Sequence, residues 1–104
     1  MNISTNYSGG RLTAFLEGEL DHHEAKNTIR LIEDVLDEYM PRECVLDLSG
    51  LNFMDSSGIA VIVRVSRRMK TLGGRFWIEN PAKQPQRVID ASGIERLVPV
   101  ATSR

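Results

Sequence analysis

Apolar side chains recur at intervals of three and four residues in three stretches of the chain, which is the spacing of one face of an α-helix. A proline stops the first stretch, and glycines, which favour helix C-termini, stop the other two. A further proline lies in the first turn of the third stretch, where a helix tolerates it. The predicted helices cover residues 24–39, 57–72 and 85–92.

Apolar or alternating segments before and between these helices predict β-strands. The first two segments flank Ser8-Gly9-Gly10, a turn sequence that would join them as an antiparallel hairpin. The third segment is mostly apolar, which is typical of a central strand covered on both faces. The predicted strands are residues 3–7, 12–17, 44–48, 75–79 and 97–100, with a loop over residues 49–56.

The order of these elements predicts an α/β fold. We expect a mixed sheet in which an N-terminal antiparallel hairpin is followed by alternating strands and helices, with about five strands and three helices. A chain of 104 residues can bury one core but not two. Residues 1–104 are therefore expected to form a single domain.

Composition and charge narrow the class of protein. Thirteen basic and fourteen acidic residues give a net charge of -1, which creates no overall field to attract nucleic acid. Cys44 is the only cysteine, so the chain alone forms neither a disulfide nor a cysteine-based metal cluster. The longest apolar run, residues 59–63, is too short to span a bilayer. We expect a cytoplasmic protein without nucleic-acid or membrane partners.

The segment from Asn52 to Gly58 carries the candidate chemistry, because partners often bind where the strands of an open α/β sheet lead into helices. Asp55 and Ser56 can cap the next helix by accepting hydrogen bonds from its first amides. Capping alone would explain one such residue, but two serines in tandem exceed that need. A phosphoryl group on Ser57 would meet the positive end of the helix, and the missing side chain at Gly58 would ease the approach of another protein.

Five segments of the chain form an ordered series of motifs, residues 18–23, 46–49, 53–59, 73–74 and 91–94. The most specific part is Phe-Met-Asp-Ser-Ser-Gly-Ile downstream of Gly-Glu-Leu-Asp-His-His. Together these segments resemble the bacterial anti-sigma factor antagonists of the STAS domain family, closest to the type that acts in sporulation. The resemblance spans nearly the whole chain in order.

The resemblance implies partner switching. The unmodified protein would bind an anti-sigma factor that is also a serine kinase, and would so release a sigma factor. The kinase would phosphorylate the second serine of the motif, Ser57, and a serine phosphatase would reverse the reaction. In the family the loop before the first helix lies near this serine. The expected partner surface consists of Asp21, His22, Asp55, Ser56, Ser57, Gly58 and Arg64.

The adjacent histidines His22, which belongs to this surface, and His23 could suggest a metal site. Adjacent histidines point in different directions on most backbones, and no third ligand stands nearby, so we expect no metal site. We expect Asp21 to cap the first helix and not to bind a metal. The chain has no phosphate-binding loop sequence, and we predict no cofactor.

Alternatives stay open for three other features. Arg64 belongs to a basic stretch of the second helix, which is either a solvated face or a complement to an acidic partner. Phe53 and Met54 are either core residues or partly exposed anchors for a partner. Phe76 and Trp77 alternate along a strand, so one should enter the core while the other faces outward or lies under a helix.

Other functions are weighed against partner switching. A hydrolase would use Ser57 as its nucleophile, but the Gly-x-Ser-x-Gly motif is absent and the chain is short for a substrate pocket. The same fold can also serve as a subunit of a lipid transporter or as a stress-signalling scaffold. We expect a non-enzymatic antagonist that is monomeric or weakly dimeric.

Overall fold

The computed structural model describes residues 1–102, and this part of the chain contains five β-strands, three α-helices and one short 3-10 helix. The predicted fold class is confirmed, since the strands form one mixed α/β sheet that opens with an antiparallel hairpin. The elements in chain order are β1 (Asn2–Ser8), β2 (Arg11–Leu20), α1 (His22–Tyr39), β3 (Glu43–Met54), α2 (Ser56–Thr71), β4 (Arg75–Glu79), α3 (Lys83–Ser92), the 3-10 helix (Ile94–Arg96) and β5 (Val100–Ala101).

The strands lie in the sheet in their chain order, from β1 at one edge to β5 at the other. β1 and β2 are antiparallel, and every later neighbouring pair is parallel. Gly9 and Gly10 both have positive φ, 59° and 83°, as a two-residue type I′ hairpin turn requires. Parallel neighbours need crossover connections, and α1, α2 and α3 supply them.

The three helices pack their apolar faces on one side of the sheet. Alternate residues of β2 and β3 point to that side and join the buried helix residues in a single hydrophobic cluster. Phe76 packs against this cluster, so it is the aromatic residue of β4 that faces the core. The cluster includes Leu12, Ala14, Leu16, Ile32, Leu36, Leu46, Leu48, Val61, Val65, Ile78 and Ile89.

The opposite face of the sheet is covered by side chains from its own strands. Val45 and Asp47 alternate with the core residues of β3, so they point to this face, and both are buried. Trp77 lies beside Val45 on β4, under the Arg11 guanidinium at 5.0 Å, and donates a hydrogen bond to Glu79 at 2.8 Å. Residues 44–48 are thus buried on both faces, as predicted for a central strand.

Two predicted boundaries are wrong for reasons of tertiary pairing. The expected loop at residues 49–56 is mostly strand, because β2 continues through two bulges to Leu20 and keeps β3 paired as far as Met54. The expected last strand at residues 97–100 is reduced to Val100–Ala101. Leu97 and Val98 instead donate their amides to the Ile94 carbonyl, at 2.8 and 2.9 Å, which closes the 3-10 turn.

The buried thiol of Cys44 gives a test of the core. Burial raises its pKa from the ordinary value of 9.0 to about 12, so the thiol stays protonated and out of reach of reagents in the folded state. We expect labelling with a thiol reagent at about pH 8 to proceed only through unfolding and to accelerate as urea is added. Cys44→Ser serves as the unlabelled blank, and rapid stoichiometric labelling of the native protein would contradict this burial.

The same thiol predicts a pH dependence of stability. Between 9.0 and about 12, the unfolded chain has lost this proton while the folded chain retains it. The unfolded state therefore binds fewer protons, and the contribution of Cys44 to the free energy of unfolding falls as pH rises through this interval. Urea titrations of the wild type and of Cys44→Ser should show a steeper decline in the wild type.

Candidate functional site

The strands β2 and β3 end side by side at the carboxyl edge of the sheet. Their last residues, Leu20 and Met54, are register partners, and the Asp55 amide donates to the Leu20 carbonyl at 3.4 Å. Each strand leads at once into a helix N-cap, which is Asp21 before α1 and Asp55 before α2. The structure thus brings together two strand-to-helix junctions that lie more than thirty residues apart in sequence.

Both aspartates cap their helices as predicted. The Asp21 carboxylate accepts hydrogen bonds from the amides of His23 and Glu24, at 2.9 and 3.1 Å. The Asp55 carboxylate accepts one from the Ser57 amide at 2.8 Å. Each aspartate has the extended backbone that an N-cap adopts before the helix begins. Two carboxylates are therefore held at the same edge of the sheet, each by the first amides of its own helix.

The two serines occupy the first two positions of α2. Ser56 is exposed and Ser57 is partly buried. The first turn of α2 itself contains no acidic residue. The carboxylate nearest in sequence to the positive end of this helix is therefore that of its N-cap, Asp55. Among residues 1–102, no histidine or carboxylate forms a hydrogen bond with the Ser57 hydroxyl.

Gly58 has a packing role in the structure. It is buried, and a Cβ atom at this position would lie 2.7 Å from Met54 Sδ and 3.0 Å from Met54 Cβ. The missing side chain allows the first turn of α2 to pack against the end of β3. The contact of Gly58 with a partner stays a prediction.

A side chain from α3 fixes the segment that precedes the serines. β4 pairs with β3 only as far as Asp47, so residues 48–54 have no strand neighbour on that side. There Gln84 accepts a hydrogen bond from the Met54 amide at 2.9 Å and donates one to the Met54 carbonyl at 3.0 Å. The amide group of Gln84 takes the place of a strand next to the cap residue Asp55. No sequence motif indicated this residue.

Comparison with known proteins agrees with this architecture, since the STAS domain family matches residues 2–104. The chain belongs to the STAS domain family. It is 29% identical over 100 residues to a Paenibacillus polymyxa protein named anti-sigma F factor antagonist, with 96% of this chain and 86% of the relative covered.

Solved structures show the same fold. The anti-sigma factor antagonist SpoIIAA in its unphosphorylated form superposes with a TM-score of 0.84 at 22% identity, and the match covers 99% of this chain and 89% of that one. The Bacillus cell fate determinant SpoIIAA in the phosphorylated form gives a TM-score of 0.75 at 22% identity, covering 99% of this chain and 92% of that one.

Two hydrophobic residues that precede the serines of this STAS domain differ in the burial of their side chains. Met54 is buried in the core cluster, whereas Phe53 is 39% exposed. Successive side chains of a strand point to opposite faces, so only one of the two can join the core. Of the two alternatives predicted for this pair, Met54 is thus the core residue, and Phe53 is the partly exposed one, four residues before Ser57.

His22 and His23 are both exposed in the first turn of α1, with ring centroids 5.6 Å apart. In residues 1–102 of the STAS domain, no three histidine, cysteine, aspartate or glutamate residues are arranged to hold a metal ion. Within the same residues, the helices also lack the length and apolar character needed to cross a membrane.

Arg64 of the STAS domain forms an ion pair within the chain. Its guanidinium lies 3.2 Å from both carboxylate oxygens of Glu33 on α1. One turn later, Arg68 contacts Glu33 at 3.6 Å and also binds Asp37. The basic stretch of α2 is thus matched by an acidic flank of α1. Arg64 remains half exposed, so its contact with a partner stays a prediction.

Replacing Gly58 tests its packing role. Alanine in place of glycine normally stabilises a helix by about 1 kcal/mol. At Gly58 the added methyl would overlap Met54, so we expect Gly58→Ala to lower the free energy of unfolding by about 1–3 kcal/mol in urea titrations. Combining it with Met54→Ala should remove the closest contact, that with Met54 Sδ, and strictly additive costs in this double-mutant cycle would contradict the contact.

Replacing Gln84 tests the clamp on Met54. Gln84→Ala would leave the Met54 amide and carbonyl without their partner, so we expect a loss of about 1–2 kcal/mol in stability and faster hydrogen exchange at the Met54 amide. Gln86→Ala is the matched control, because Gln86 lies on the same helix and its side chain donates to Asp90 of that helix. Equal Met54 exchange rates in the two variants would count against the clamp.

Proposed function

We propose that this STAS domain is an anti-sigma factor antagonist whose switch is Ser57. The unmodified form binds an anti-sigma factor that is also a serine kinase, and so frees a sigma factor. Phosphorylation of Ser57 ends this binding, and a serine phosphatase restores it. The observation that carries the proposal is the position of Ser57 in the first turn of α2, beside the capping residues Asp55 and Asp21.

The relatives support this class of function. The Paenibacillus polymyxa relative is named for antagonism of an anti-sigma factor, and so is SpoIIAA. SpoIIAA also has a phosphorylated form. Since this chain has the same fold and a tandem serine at the start of α2, the same kind of control is proposed for it.

The surroundings of Ser57 support the role of a substrate. A serine nucleophile needs a base within hydrogen-bond reach, and neither a histidine nor a carboxylate bonds to this hydroxyl in residues 1–102. The hydroxyl instead lies at a partly exposed helix terminus, where the active site of another enzyme can approach it. The domain is therefore proposed to act by binding, without catalysis of its own.

The fold can carry a phosphoryl group at Ser57 without rearrangement. Phosphorylation adds about -1.5 to -2 charges, and the positive end of α2 favours a negative charge at its first turn. The residues beneath are held independently, because Gly58 packs on Met54 and Gln84 binds the Met54 backbone. The switch is thus proposed to act on the partner and to leave the antagonist folded.

The effect on the partner follows from charge. An anti-sigma factor that accommodates the neutral Ser57 hydroxyl at the edge of the sheet that carries Asp21 and Asp55 would face a third and stronger negative group there after phosphorylation. A hundredfold loss of affinity needs only about 2.7 kcal/mol. One new contact between like charges at about 4 Å, with an effective dielectric constant near 20, amounts to about 4 kcal/mol. A single unfavourable contact is therefore enough.

Variants of the two serines test this proposal. With ATP and the native cytosol, we expect the wild type and the control Ser56→Ala to gain one phosphoryl group at Ser57, measured by peptide mass spectrometry. Ser57→Ala should gain none and should keep its kinase partner in pull-downs. Ser57→Asp should bind that partner at least about a hundredfold more weakly. Phosphorylation of Ser57→Ala to the wild-type extent would refute the assignment.

A further inference from the structure

The strand β1 forms an unprotected edge of the sheet. Its seven residues pair with β2 on one side, and the described chain provides no strand on the other. Six of the seven are exposed, and none is charged or a proline. Edge strands are usually protected by charged residues, proline, bulges or short length. The opposite edge has such protection, since β5 is two residues long and follows Pro99.

An apolar strip on α1 continues this edge above the sheet. Leu31 and Tyr39 are 44% and 43% exposed, and Val35 lies partly exposed between them. Their spacing of four residues places all three on one flank of the helix, away from the flank that forms ion pairs with α2. The Tyr39 ring stacks on Tyr7 of β1, with centroids 4.7 Å apart. The strip and the edge strand thus form one continuous surface.

We propose that two copies of this chain associate through β1, with the two strands antiparallel around a two-fold axis at Thr5. In this register, the residue numbers of facing pairs add up to ten, so all seven residues of each strand are paired. Ile3 would face the partner's Tyr7, and Thr5 would face the partner's Thr5. Aromatic–β-branched and threonine pairs of this kind are favourable across antiparallel strands.

The register is set by the faces of the sheet. Ile3, Thr5 and Tyr7 point to the side of the helices, because they face Leu16, Ala14 and Leu12 of the core across β1 and β2. A shift by one residue would place helix-side residues opposite solvent-side residues of the other copy. The register centred on Thr5 keeps every side chain on its own side and lets alternate residues exchange about six backbone hydrogen bonds.

The same axis aligns the apolar strips of the two helices. β1 and α1 both run antiparallel to β2, so they run in the same direction. From Tyr7 back to Thr5 is about 6.6 Å of strand, which equals about four residues of helix. Since Tyr39 stacks on Tyr7, the axis passes Val35, and Leu31 comes opposite the partner's Tyr39. Both layers therefore pair apolar with apolar residues.

The size of this surface indicates a weak and reversible dimer. A seven-residue strand is about 23 Å long, and a sheet with one helix layer is about 20 Å high, which gives roughly 450 Å² per copy. The total of about 900 Å² lies below the roughly 1,200 Å² of most stable interfaces. No charge on β1 opposes the approach of a second copy. The surface includes neither Ser57 nor α2, so this association is independent of the proposed function.

Charge substitution at the axis gives a direct test. We expect sedimentation analysis of the wild type to show a monomer–dimer equilibrium with a dissociation constant on the order of 100 µM. Thr5→Lys places two positive charges face to face, and Thr5→Glu places two negative ones, so each alone should weaken association at least about tenfold. An equimolar mixture of the two variants should restore it by pairing unlike charges across the axis.

Controls separate this effect from loss of folding. Thr5 is exposed, and both variants should keep the wild-type circular dichroism and unfolding midpoint. Ala91→Lys, at an exposed position on α3, should leave association unchanged. A wild type that stays monomeric up to about 1 mM, association that tolerates both single variants, or a mixture that fails to recover would each overturn the proposal.

Discussion

Parallel pairing of β2 with β3 is the interaction on which the rest of the site depends. Because the two strands end level with each other at Leu20 and Met54, the helices that follow them begin side by side. Their N-caps, Asp21 and Asp55, are thus neighbours even though each is built by purely local hydrogen bonds. A shorter β2 would move Asp21 and the start of α1 away from the start of α2.

The charges of the two helices serve mainly to match each other. Arg64 and Arg68 on α2 face Glu33 and Asp37 on α1, and pairs that are partly exposed in this way contribute at most about 1 kcal/mol each. The packing of α1 on α2 therefore rests on the apolar core. The ion pairs offset part of the positive charge of α2 with carboxylates of α1.

Local signals made much of this fold predictable from sequence. Helical periodicity, the stops at Pro41 and Gly73, and the caps Asp21 and Asp55 act within one turn of the chain, so the element order and both caps followed from them. The extension of β3 could not be predicted in this way. Its polar residues are typical of a loop, and they form a strand only because β2 pairs with them. Gln84 was missed for the same reason, since it acts across thirty residues. The packing of Gly58 on Met54 was also not predicted, because the strand-to-helix corner sets which residues meet there.

The hydrogen bonds between Gln84 and Met54 have a consequence for synthesis. A chain growing on the ribosome makes both serines well before it makes α3, so Ser57 leaves the exit tunnel while the backbone before it still lacks this support. The finished geometry requires most of the chain, because Gln84 lies thirty residues after Met54. An enzyme that reads the shape around Ser57 would thereby act on completed molecules and pass over nascent ones.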